Sequence, residues 1–79
     1  MQLFGRVLED EDGAPVQLAE VTIATTSDVL RQLSAFLLHC ARLQDEHGDD
    51  FGHEHASDFD QDLRKHVGDL IVMRGPIKL

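Results

Sequence analysis

The sequence predicts an α+β fold: a two-layer β-β-α-β-β domain in which one long helix packs across an antiparallel four-stranded sheet. Three observations predict it. The chain has 79 residues, enough for a single domain (1–79) with one small core. Its apolar spacing shifts from short alternation to a 3.6-residue period near Ser27, then returns to short apolar runs after Asp50. Turn formers such as Asp12-Gly13, Gly48 and Gly75-Pro76 punctuate these changes.

The segment 2–8 carries Phe4, Val7 and Leu8 in imperfect alternation and reads as the first strand. Four consecutive acids, Glu9 to Asp12, followed by Gly13-Ala14-Pro15, end it, since such a run cannot share a buried strand. The second strand is expected over 17–25. There Ala19, Val21 and Ile23 share one face, while Val16 and Leu18 have the opposite parity, as at a bulge or loop. A short connection between the two favours an antiparallel pair.

Thr25-Thr26-Ser27-Asp28 offers N-cap hydroxyls and a first-turn acid. A helix is expected over 28–47. Steps of about 100° place Val29, Leu30, Phe36, Leu37, Cys40, Ala41, Leu43 and Gln44 within about 80° of Leu33, with Arg31, Ala35, Arg42 and Asp45 opposite. Leu33, Phe36, Leu37 and Cys40 are the expected core of this stripe, packed on Val21, Ile23, Leu70 and Val72. Leu38 falls about 140° from the centre and reads as a lone exposed leucine or part of a partner surface. Gly48 ends the helix. A third strand is expected over 51–57, with an ordered loop as the alternative, then a connection with one helical turn over 60–67 and a fourth strand over 69–74. The last has apolar residues on both faces, as in a strand covered on each side. Ile77 to Leu79 form a tail.

Charge narrows the functional classes. Seven Lys and Arg stand against fifteen Asp and Glu, a formal net charge of -8. A basic field to neutralise phosphates is missing from the composition, so neither nucleic acid nor an anionic membrane surface is the expected partner. The amino terminus lacks the basic and apolar regions of a secretory signal, and the longest apolar run, Leu70 to Met73, is too short to span a bilayer. With one free cysteine suited to a reducing compartment, a cytoplasmic location is expected.

The segment from Asp45 to Asp62 holds eight acids and three histidines and no Lys or Arg. In a strand, His53 and His55 stand on one face with Glu54 turned away. Such a pair could join a third ligand such as Asp58 or His47 around zinc, nickel or iron, yet it lacks the i,i+4 spacing of a helical metalloprotease site. Asp58, Asp60 and Asp62 have oxygen-donor spacing without the glycine and closing glutamate of a calcium loop. Cys40 lies within the apolar stripe, where a thiol acts as a small hydrophobe, and His39 points about 100° away from it. No glycine-rich phosphate loop or Cys-x-x-Cys occurs. The expectation is a non-catalytic domain with no cofactor and no resident metal.

Leu30-x-x-Leu33-x-x-Phe36-Leu37, Phe51-Gly52-His53-Glu54-His55 and Asp69-Leu70-Ile71-Val72 resemble a family of small bacterial immunity proteins of polymorphic-toxin systems. The resemblance implies a protein that binds and neutralises a cognate toxin, with His53, His55 and Asp58 among its binding residues. The residues themselves point to a basic protein partner recognised by the acidic segment, with Asp49, Asp50, His53, His55 and Asp58 as candidates. A thin core, the off-stripe Leu38 and the two-sided apolar run 70–73 predict a homodimer. A homodimeric structural or regulatory domain and a small metal-binding protein using His53 and His55 are the alternative readings.

Overall fold

The computed structural model describes residues 1–7 and 13–77. The expected strand end at Leu8, the acidic turn residues Glu9 to Asp12, and the tail residues Lys78 and Leu79 lie outside them. The element order is β1 (Phe4–Gly5), β2 (Val16–Gln17), α1 (Ser27–His47), a 3-10 turn (Gly48–Asp50), β3 (His53–His55), α2 (Ala56–Phe59), α3 (Leu63–Val67) and β4 (Ile71–Met73). The fold is α+β with one long helix, as expected.

Helix α1 begins where its capping residues predict. Thr26 takes the extended N-cap conformation and its hydroxyl oxygen accepts from the Val29 amide at 3.4 Å, while Asp28 sits in the first turn. Gly48 ends it with φ of 56°, a conformation that disfavours residues with a Cβ, and its amide donates to the Gln44 carbonyl. Gly68, with φ of 63°, ends α3 in the same way.

The four-stranded sheet is not formed. The strands make two separate antiparallel pairs, β1 with β2 and β3 with β4. In the first, Phe4 lies opposite Gln17 and Gly5 opposite Val16, and the Leu18 amide donates to the Leu3 carbonyl. In the second, His53 faces Met73, Glu54 faces Val72 and His55 faces Ile71. The strand expected over 17–25 stops at Gln17, and residues 21–25 run without ladder partners into the α1 cap. Val21 and Ile23, expected to cover the helix, are 48% and 62% exposed. The strand expected over 51–57 is confined to 53–55, because 56–57 turn into a helix, and the one expected over 69–74 is confined to 71–73. The segments 56–59 and 63–67 are short helices, and these provide the cover instead.

The core therefore gathers on one side of α1. Val29, Leu33, Phe36 and Cys40 pack with Ala56 of α2 and Leu63 of α3, and Val67, Leu70 and Val72 lie partly buried against them. Phe36 and Leu63 are completely buried. Leu37 is 52% exposed and does not belong to this core. It lies about 40° from Leu33 on the side of the stripe away from Phe36 and Cys40, and α2 and α3 cover only the latter half. Strand β4 is likewise covered on one face: Val72 is half-buried while Ile71 and Met73 are exposed.

Candidate functional site

The β3–β4 pair carries the residues singled out for recognition. Because side chains alternate along a strand, His53 and His55 share the outward face with their cross-strand partners Met73 and Ile71, and Glu54 shares the inward face with Val72. The imidazole centroids of His53 and His55 lie 5.1 Å apart with planes at 73°, an edge-to-face contact. The side-by-side histidines expected from i,i+2 spacing are present. Among the described residues no group of three or more His, Cys, Asp or Glu side chains is arranged to hold a metal ion. Neither His47 nor Asp58 joins the pair as a third ligand.

The turn leading into β3 holds two more candidates. Asp49 and Asp50 occupy the 3-10 turn after α1. The Asp49 carboxylate, fully exposed, lies 3.5 Å from Nε of Arg74, the residue just after β4, and Arg74 also donates to the Gly48 carbonyl at 3.1 Å. Arg74 ties the β4 end to the turn and offsets one acid of the cluster. Asp50 remains exposed, as does Asp58 on α2. The structure thus places Asp49, Asp50, His53, His55 and Asp58 on three consecutive elements.

Two further acids of the segment are engaged in holding the fold. Gln32 on α1 donates through Nε2 to Asp60 at 3.2 Å and to Asp62 at 3.0 Å, while Asp60 caps the Asp62 amide. His66 Nε2 approaches Asp62 at 3.3 Å, and Lys65 stands at 4.0 Å. The hydrogen bond from Gln32, supported by the charges of His66 and Lys65, holds the Asp62 carboxyl below the usual carboxylate range. Of the calcium-like trio Asp58, Asp60 and Asp62, the last two therefore belong to a helix-to-helix connection clamped by Gln32, while Asp58 stands on α2.

Cys40 is buried in the core, as its place in the stripe predicts. Burial, with a smaller contribution from the inward carboxylate of Glu54, raises its pKa above 9.0, so the thiol stays protonated and poorly nucleophilic at neutral pH. His39 stacks instead on Phe59, with centroids 4.7 Å apart, and Phe59 also meets Phe36 at 5.8 Å. Reading the residues in order missed this aromatic group, Arg74, and the apolar pair Ile71 and Met73 beside the histidines. Each depends on a chain partner distant in sequence. An open groove is lined by Val21, Thr22, Ile23, Ala24, Thr25, Leu33, His66, Val67 and Leu70.

No protein-family model matches the chain, and no curated protein or solved structure is significantly similar to it. No helix among the described residues is long and apolar enough to cross a membrane.

Proposed function

We propose that the protein is a non-catalytic binding domain that recognises a basic protein partner through the surface formed by the 3-10 turn, β3 and α2. The observation that carries this reading is the joint exposure of Asp49, Asp50, His53 and Asp58 on consecutive elements of a chain with net charge -8. Acids gathered on one short stretch of surface steer a cationic partner and raise its encounter rate. His55, Ile71 and Met73 supply polarisable and apolar contact beside them, which a purely charged patch lacks. Arg74 lowers the negative field locally at Asp49, so Asp50 and Asp58 are the acids best placed to meet Lys or Arg.

The resemblance to immunity proteins gives the proposed partner a class, a basic toxin domain, and the proposed location is the cytoplasm. The test is a retention assay on the product of the adjacent gene, with immobilised wild-type protein and an Asp50→Lys/Asp58→Lys variant. The expected result is retention by wild type at low salt, loss at high salt, and loss with the variant at all salt concentrations. Equal retention by both proteins, independent of salt, contradicts the proposal.

A further inference from the structure

Helix α1 has an apolar stripe about twice as wide as its own protomer covers. Taking Leu33 as zero, the buried residues Val29, Phe36 and Cys40 lie on one side within about 60°, and Leu37, Leu30, Ala41 and Ser34 lie on the other at about 40° to 100°. This second half is open: Leu30 is 49% exposed, Leu37 is 52% and Leu38, further round, is 53%. Ala41 and Ser34 are exposed between them. From Gln32 to Ala41 the helix carries no Asp, Glu, Lys or Arg, although 28% of the chain is charged. An acid-seeking partner has nothing to bind there.

The spacing on this face is informative. Leu30, Ser34, Leu37 and Ala41 follow the i, i+4, i+7, i+11 pattern of a coiled-coil seam, with a large residue alternating with a small one. When two such helices run antiparallel about a two-fold axis, Leu30 falls in the same layer as Ala41 of the other copy, and Leu37 in the same layer as Ser34. Every layer then holds one leucine and one small side chain, which lets the helices approach closely without a void. Run parallel, the seam would stack leucine on leucine and leave Ser34 facing Ser34 and Ala41 facing Ala41 across gaps.

Leu33 joins the seam to the groove lined by Val21 and Ile23, so the open apolar surface extends beyond the helix itself.

We propose that a second copy of this chain covers this face, forming a two-fold dimer through antiparallel packing of α1 on α1. The interface leaves the acidic β3 and α2 surface outside the seam, so the proposal stands or falls independently of the binding function. Sedimentation equilibrium at tens of micromolar tests it, alongside disulfide trapping between a Leu30→Cys chain and an Ala41→Cys chain mixed in equal amounts. The expected mass is twice 8.8 kDa, and the expected trapped product joins position 30 of one copy to position 41 of the other. Leu37→Asp, at an exposed position, is expected to keep the wild-type circular dichroism while raising the dimer dissociation constant at least about thirtyfold. A wild-type mass of 8.8 kDa throughout, trapping of Leu30→Cys chains to each other in place of the 30-to-41 product, or an undiminished Leu37→Asp dimer each overturns it. Trapping does not depend on the folding of the charged variant.

Discussion

Phe36 and Leu37 adjoin in sequence, yet one is wholly buried against Leu63 and Phe59 while the other is half exposed. Phe36→Ala should cost about 3–5 kcal/mol, through lost burial and an unfilled cavity, and leave a small domain largely unfolded. Leu37→Ala should cost under about 1 kcal/mol in the dilute monomer, because little packing is removed there. Urea denaturation of both variants measures the contrast, and equal losses would contradict the placement of the core. Cys40 gives a second prediction at this scale. Its folded pKa is raised, so the stability it contributes is fully present below the unfolded value near 9.0 and is lost as pH rises through the folded value. Thermal denaturation should therefore show a downward slope above pH 9 that Cys40→Ala lacks. A thiol reagent at pH 7.5 should label the folded chain far more slowly than the urea-unfolded one.

Among the elements, α1 was the most legible, because a 21-residue helix repeats its period several times and is bounded by Thr26 and Gly48, whose roles are local. The strands were legible in kind and not in partnership. Strands of two or three residues contain too few alternations to specify which neighbour they pair with, and Val21 and Ile23 share a face without finding a ladder. The cover over α1 went instead to α2 and α3, whose four and five residues are too short to show a helical period. For the candidate site, the facing of His53 and His55 follows from parity within one strand. The contacts with Ile71, Met73 and Arg74 follow from register between distant segments, which no local pattern carries. The Gln32 clamp on Asp60 and Asp62 yields a pH prediction. The folded pKa of Asp62 is lowered, so its contribution is present above the unfolded value of about 3.8 and lost as pH falls through the folded value. The melting temperature of Gln32→Met should lie below wild type at pH 7 and converge with it under strongly acid conditions. A constant gap down to pH 2 would show that the clamp carries no charge-dependent stability.

At the scale of the whole molecule, the described surface includes two chemically different regions. One is acidic and histidine-bearing, on the 3-10 turn, β3 and α2; the other is uncharged and apolar, on the outer half of α1. Small domains have little core to spare, and self-association through the apolar region would supply burial that one protomer lacks. It follows that the melting temperature should rise with protein concentration in wild type and stay flat in Leu37→Asp. The acidic region is the one to which recognition is assigned. Its most direct test is the association rate of the purified partner, measured by stopped flow from low to high salt with wild type and with Asp50→Lys/Asp58→Lys. The account predicts a wild-type rate that falls steeply with salt, and a variant rate that is slower at low salt and nearly independent of it. Equal rates with equal salt dependence for the two proteins would contradict recognition through this surface.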